Sequence, residues 1–333
     1  MRPSEKSKIL PALLIAFAFV LPCTAQELVL SSEAVITDDG AEAYYVEESA
    51  LVRLNLRQGT SARIRLDESV TGNEFLLAGF APTGELIGYS KASLWAFDRS
   101  EHVARRVFAA PPDKKINYAT VQPKSRAVLV SLAPHGHPDD VSVGTLSFLI
   151  HDLIELTWDG KKVQQKQIRT RREVIPQGAA FDSNGSLFFP MRDVYECDMD
   201  EGYELSGGRC LPLSTEQVFT GGGSPWTFGA LSIAISNKMI YVYVNRLGGS
   251  SPDGCMVRFR KLGAPRATDD YEKNVTLCSK ALASIEVLEK GVGYGILCAS
   301  ANGKHVLMRC NKNWFVINDD GRPIPQSFRE ISL

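Results

Sequence analysis

Apolar and polar residues alternate along most of this chain in short runs, separated by tight polar turns. The clearest stretch is AFDSNGSLFFPMRDVYECDMDEG, Ala180 to Gly202. It reads as strand, polar turn at Asn184-Gly185, strand, short break at Arg192-Asp193, then a third strand. Period-two alternation is the mark of a strand whose faces see different surroundings, and Asn-Gly between apolar runs marks a hairpin. The same turn recurs at Gly40 (TDDG), Gly84 (APTG) and Gly303 (SANG), with degenerate copies at Ser125 (QPKS) and Lys238 (ISNK). After each comes a second β-rich run such as Tyr44-Tyr45, Leu187-Phe188-Phe189 or Ile240 to Val244. A third strand follows in every copy: LVRLNLRQG, LWAFDRSE, LIELTWDG, VYECDMDEG, MVRFRKLG and WFVINDDG.

Six such units repeat at spacings of roughly 40–65 residues, the shorter of which match a four-stranded blade and the longer a blade with loop insertions. No helical pattern alternates with them. The expectation is an all-β chain folded as a β-propeller of four-stranded blades, most simply six of them, in one domain over residues 26–333. The repeats resemble those of the Tol-type and related six-bladed propellers, in which a DG-x-x-[IL]-x-[FY] turn precedes an [IL]-[YW]-x-x-[DN] strand. That resemblance covers most of the chain and implies architecture, because such folds carry both binding modules and enzymes.

The first 25 residues break the pattern. Arg2, Lys6 and Lys8 precede an apolar run from Ile9 to Leu21, and Cys23-Thr24-Ala25 offers small residues before Gln26. This is the grammar of a cleaved signal peptide, with an apolar run shorter than the about 20 residues of a membrane span. The product is expected to be secreted, extracellular or periplasmic, with no membrane span. Cleavage removes three of the 37 Lys+Arg and one of the 38 Asp+Glu. The mature chain then carries a charge of about −3 and no basic run of the kind that nucleic-acid binders use.

Six of the seven cysteines remain: Cys197, Cys210, Cys255, Cys278, Cys298 and Cys310. An even number in an exported chain predicts disulfides. Cys197–Cys210 flank one strand turn, Cys255–Cys278 fall in the fifth unit, and Cys298–Cys310 straddle the hairpin at Gly303. The loop between Cys197 and Cys210 resembles the last loop of an epidermal-growth-factor module. The four further cysteines of such a module are missing upstream, which leaves a disulfide-closed hairpin. Its Asp198, Asp200 and Glu201 are oxygen ligands of the type calcium takes, and also ordinary turn acids. Asn184 and Asn274 begin Asn-x-Ser/Thr sequons, which matter in a eukaryotic secretory pathway.

Three long connections should share one face of the ring: 132–145 and 245–254, each between second and third strands, and 215–226, a crossover between units. Loops on a rigid scaffold are where binding residues gather, so this face is the expected site. The first loop holds His135, His137, Asp139 and Asp140, whose imidazoles and carboxylates suit zinc or another divalent ion. AVLVSLAPHGHPDD resembles the HPDD motif of zinc-dependent N-acetylglucosamine deacetylases, which implies His137 and Asp140 as ligands and Asp139 as base. Val141 replaces that family's next acidic residue, and the later histidines, His151 and His305, lie in apparent strands. The His-x-His-x-Asp string is also similar to that of β-lactamase-type metallo-hydrolases, with Asp140 in place of their final histidine. A solvated polar loop is the plainer account. Trp226 in the crossover offers an aromatic rim for a sugar or peptide.

Ile175 to Phe189 resembles the repeat of gluconolactonase-type six-bladed hydrolases, which implies calcium in the central channel held by Glu, Asn and Asp. Asn73, Asn117 and Gln177 are the candidates on first strands or their approaches. The chain contains no nucleophile elbow, P-loop or dinucleotide fingerprint. The favoured function is a secreted binding module for a protein, peptide or glycan on the long-loop face. The alternative is a metal-dependent propeller hydrolase or lactonase using calcium or zinc.

Overall fold

The structure, a computed structural model, describes residues 34–47, 50–64, 66, 70, 75–81, 83–99, 104–125, 127–135, 152–158, 163–168, 180–190, 194–199, 205–211, 228–246, 254–260, 286–292, 295–310 and 313–318. Those residues form strands and connections, and among them no helix is long and apolar enough to cross a membrane. Among the described residues twenty-three strands are grouped into six antiparallel sheets. The first sheet holds β1 (Ala34–Ile36), β2 (Glu42–Glu47), β3 (Ala50–Asn55) and β4 (Thr60–Ile64). The second holds β5 (Leu76–Phe80), β6 (Leu86–Tyr89), β7 (Ser93–Phe97) and β8 (Ala104–Ala109). The third holds β9 (Lys114–Val121), β10 (Val128–Pro134), β11 (Asp152–Trp158) and β12 (Val163–Ile168).

The fourth is built from β13 (Ala180–Phe181), β14 (Leu187–Pro190), β15 (Val194–Met199) and β16 (Leu205–Leu211). The fifth is built from β17 (Phe228–Ile235), β18 (Met239–Arg246), β19 (Gly254–Arg260) and β20 (Glu286–Val292). The sixth has three strands among the described residues, β21 (Gly295–Ala299), β22 (His305–Cys310) and β23 (Asn313–Asn318). Within every sheet each strand pairs with its sequence neighbour. The turns at Gly40, Gly84, Ser125, Gly185, Lys238 and Gly303 each join a first strand to a second, and the six signature runs are the third strands.

Packing decides the architecture. Inner strands such as β2, β6 and β10 are buried on both faces, whereas outer strands such as β4 and β8 are partly exposed. In β2, Tyr45 and Ala43 pack with Ile296, Leu307, Trp314 and Val316 of the sixth sheet. The next residue, Tyr44, points the other way, into Leu77, Leu86 and Phe97 of the second sheet. Another wedge joins Ile87 and Leu94 of the second sheet to Val128, Val130 and Ile154 of the third. A further one joins Tyr241 and Met256 of the fifth to Val306 and Met308 of the sixth. The first strands of all six sheets line one cavity, and β21 of the sixth sheet lies against β1 of the first. Sheets packed face to face around an axis, first strands innermost, are the propeller arrangement. The fold is a β-propeller.

The expected disulfides need correcting where the structure reaches them. Cys255, Cys298 and Cys310 are buried thiols, and no disulfide forms among the described residues. In the β21–β22 hairpin Cys298 pairs with Leu307, whereas Cys310 pairs with Gly295. Cys298 therefore packs toward the first sheet and Cys310 toward the fifth. Strand alternation sends the two sulfurs to opposite faces, so the asymmetric hairpin cannot bring them together. Cys278, the expected partner of Cys255, lies outside the described residues. Cys197 and Cys210 occupy neighbouring strands, opposite Gly208 and Tyr195 respectively.

Candidate functional site

The turns between first and second strands form one end of the ring, and their polar groups bond to one another. Each turn is first closed on itself. Thr37 Oγ1 donates to Asp39 Oδ1 at 2.6 Å and the Ala41 amide donates to the same oxygen at 3.0 Å. These two bonds hold the Asp39 carboxyl below its ordinary pKa. Asp182 Oδ1 accepts the amides of Asn184 and Ser186, each at 2.9 Å. Gln122 Oε1 accepts the Ser125 amide at 2.6 Å, which organises the copy that lacks glycine.

Neighbouring turns are then tied together. Ser183 Oγ donates to Asn237 Oδ1 at 2.8 Å, linking the fourth sheet to the fifth. The Asn237 amide donates to Gly303 O at 2.9 Å and its Nδ2 to Asn302 O at 3.2 Å, linking the fifth to the sixth. Asn302 donates its amide to Asp38 Oδ1 at 3.0 Å and its Nδ2 to Asp38 O at 2.9 Å, closing the sixth onto the first. His305 Nδ1 lies 3.1 Å from Asp38 O. Gly40 sits so close that a Cβ would lie 2.7 Å from the His305 ring, so only glycine fits there.

Two charged girdles flank the first sheet. Glu42 receives Arg53 in an ion pair, Tyr44 Oη at 3.0 Å and Arg99 at 3.8 Å. Arg99 also lies over the Phe80 ring of the second sheet, 5.4 Å from its centroid. At the other end of β2, Glu47 receives Arg309 at 3.4 Å, Arg63 at 3.6 Å and Tyr45 Oη at 3.5 Å. Arg309 of the sixth sheet spans the Tyr45 and Trp314 rings at 5.5 and 5.2 Å. Burial pushes the Tyr44 and Tyr45 phenols up to about 12.

The cavity between the first strands has a volume of about 120 Å³ and reaches the turns at Ser300-Ala301 and Pro123. Its described wall is mainly Ala, Val, Ile, Leu and Phe, with the hydroxyls of Tyr118, Thr120 and Ser300 and the thiol of Cys298. Among the described residues that wall has no carboxylate, carboxamide or imidazole. Ser300 Oγ is already engaged, donating to Asn302 Oδ1 at 2.8 Å. Among the described residues the oxygen-rich donor set that calcium needs does not gather there. Asn117 lies in β9 but not on this wall. Asn73 and Gln177 lie outside the described residues. No group of three or more His, Cys, Asp or Glu among the described residues is placed to hold a metal ion.

The opposite end of the ring carries the long connections. His135 follows β10 as an exposed turn residue, and its amide donates to Asp113 O at 3.1 Å. That bond joins a second-to-third connection to the crossover entering β9. Lys114 of β9 forms an ion pair with Asp152 of β11 at the same end, and this bond raises the Lys114 pKa. His137, Asp139, Asp140 and Trp226 lie outside the described residues, as do Asp200, Glu201 and Asn274. The chain leaves β10 at Pro134 and returns at Asp152, leaves β16 at Leu211 and returns at Phe228, and leaves β18 at Arg246 and returns at Gly254. The three expected loops therefore fall at these three places. One further long connection, 261–285 between β19 and β20, leaves from the turn end.

Asp38, Asn237 and Asn302 carry the turn-to-turn bonds, and the sequence reading gave them no such role. Their only signal was the repeated Asp/Asn at the turn tips, which marks a turn but not its neighbour across the ring.

No family model matches the chain. No curated protein matches it either. Solved structures do. A TolB-like protein from Agrobacterium tumefaciens is 12% identical, with 88% of this chain and 90% of that one covered and a TM-score of 0.48. Regucalcin, a calcium-binding protein from the same organism, is 13% identical over 84% and 81% of the two chains, with a TM-score of 0.45. An oligogalacturonate lyase solved with manganese is 12% identical over 89% and 76%, with a TM-score of 0.39.

Proposed function

We propose that this chain is an exported six-bladed propeller that binds a protein, peptide or glycan on the face carrying 132–145, 215–226 and 245–254. The observation that supports this is the contrast between the two ends of the ring. At the turn end, the tips of the fourth, fifth, sixth and first sheets spend their amides, carbonyls and carboxamides on one another. At the other end three long connections leave a framework held by the Lys114–Asp152 and His135–Asp113 contacts, whereas one further long connection, 261–285, leaves from the turn end. Recognition residues belong on segments that are free to vary while the scaffold beneath them stays rigid. Export rests on the Arg2 to Ala25 signal pattern, with residues 26–333 as one mature domain.

The described wall of the cavity carries none of the Glu, Asn and Asp side chains that the gluconolactonase resemblance implies, and the candidates Asn73 and Gln177 lie outside the described residues. The test is a screen of residues 26–333 against glycan and peptide arrays. It is repeated on variants in which each long connection is replaced by a short Gly-Ser linker. Binding that disappears with one or more loops and persists in turn-end variants supports the proposal. Turnover of a lactone or ester that EDTA abolishes, with no array binding, refutes it.

A further inference from the structure

Two turns of the ring carry the same dipeptide, Asn184-Gly185 and Asn302-Gly303, and their backbones match closely. Both glycines lie in the left-handed region, at φ 88° and 68°. Both glycine amides donate to the carbonyl three residues back, Gly185 to Asp182 at 3.0 Å and Gly303 to Ser300 at 2.8 Å. The asparagine side chains differ completely. Asn302 donates Nδ2 to Asp38 O at 2.9 Å, and its Oδ1 accepts Ser300 Oγ at 2.8 Å and the Lys304 amide at 3.0 Å. The Asn184 side chain is exposed and makes no hydrogen bond among the described residues, while its backbone amide donates to Asp182 Oδ1 at 2.9 Å.

We propose that Asn184 is a site of spontaneous chemical modification in the folded protein, converting to aspartate and isoaspartate, while Asn302 is protected by its bonds to Ser300 and Lys304 in its own turn and to Asp38 across the ring. Asparagine before glycine is the susceptible pairing, because glycine has no side chain to hinder approach to its own amide nitrogen. The Gly185 nitrogen attacks Asn184 Cγ, forming a C–N bond and closing a five-membered imide. The Cγ–Nδ2 bond breaks and ammonia leaves, carrying the proton from the Gly185 amide. Water then adds to either imide carbonyl. One opening restores the normal peptide with aspartate at 184, and the other routes the chain through the side-chain carboxyl as isoaspartate. No redox partner is involved, and water is the only co-reactant.

The nucleophile is held alike in both turns, so the rate difference comes from the electrophile. Swinging the Asn184 side chain over its own backbone breaks no side-chain bond. Doing the same at Asn302 breaks three, and the slowing from these amounts to at least about ten-fold. The product carboxylate at 184 arises beside Asp182, whose Oδ1 holds that turn together. Modification therefore adds negative charge at the link between the fourth and fifth sheets.

The test ages the intact folded chain in mildly alkaline buffer and follows both peptides by mass spectrometry, with separation of the isoaspartyl forms. A second sample ages in urea, and an Asn184→Gln variant serves as the site control. The expected result is conversion at 184 at least about ten-fold faster than at 302 in the folded chain, with the two rates converging in urea. Loss of the 184 signal in Asn184→Gln is expected alongside. Equal rates in the folded chain would overturn the proposal, and so would a gap of the same size in urea, because sequence rather than fold would then set it.

Discussion

Replacing Asn302 by alanine weakens the join between the last sheet and the first. The substitution removes the donor to Asp38 O at 2.9 Å and the acceptor of Ser300 Oγ and the Lys304 amide. It leaves the backbone bonds to Asp38 Oδ1 and from Asn237 Nδ2 in place. Each lost bond is worth about 1 kcal/mol net. Lys304 is exposed and its amide recovers a water. Ser300 Oγ keeps a contact to His305 O at 3.3 Å. The uncompensated loss is therefore about 1–2 kcal/mol, centred on Asp38. Urea unfolding with linear extrapolation measures it, provided the slope is unchanged. Asn184→Ala is the matched control, since that side chain makes no hydrogen bond, and its effect should stay within about 0.5 kcal/mol. An Asn302→Ala loss no larger than that of the control would refute the reasoning, because the cross-ring bonds would then carry no weight.

Two further outcomes follow from the core and the buried phenols. A Cβ at Gly88 would lie 2.0 Å from the Phe75 ring, which stacks edge-to-face on Phe97. Gly88→Ala should cost about 1–3 kcal/mol by overpacking, and Phe75→Leu in that background should recover part of it; an additive loss in the double variant would contradict the packing account. Burial holds Tyr44, Tyr45 and Tyr243 at about 12 in the folded chain against an ordinary value of 10.0. The unfolded chain releases those protons first, so the stability they confer is intact below pH 10 and is lost as pH rises toward 12. The urea midpoint should fall across that window and fall less in Tyr45→Phe; a flat profile would count against the burial of these rings.

Much of the fold was legible because its signals are local. Period-two alternation and turn chemistry located all six third strands and all six first-to-second turns, including the degenerate turns at Ser125 and Lys238. The Tyr44-Tyr45 run marked a second strand, and the structure buries its two rings on opposite faces of β2. What failed was long-range. The Cys298–Cys310 pairing was drawn from sequence separation across a hairpin, and the register that sends each sulfur to its own face is set by packing against different sheets. The Asp38–Asn302 contact joins residues from opposite ends of the chain, and no local pattern encodes such a pairing. On the candidate site, the sequence pointed to loop chemistry at His135, His137, Asp139, Asp140 and Trp226, of which the structure describes His135 alone. The calcium set suggested for the channel relied on a family likeness. The residues that line the described wall are mostly small and apolar, because first strands must pack closely around the axis.

The account depends most on the turns of the fourth, fifth, sixth and first sheets being bonded to one another. Amide-resolved hydrogen exchange of the folded chain tests this directly at the Asn237 and Asn302 amides, which donate to Gly303 O and Asp38 Oδ1. Turn-tip amides exposed to solvent exchange at nearly unprotected rates, whereas amides locked by cross-ring bonds exchange only when the junction opens. The account predicts protection of both, at least about ten-fold, with Asn302 losing its protection in Asp38→Ala. Free exchange at both positions in the unaltered chain would contradict it.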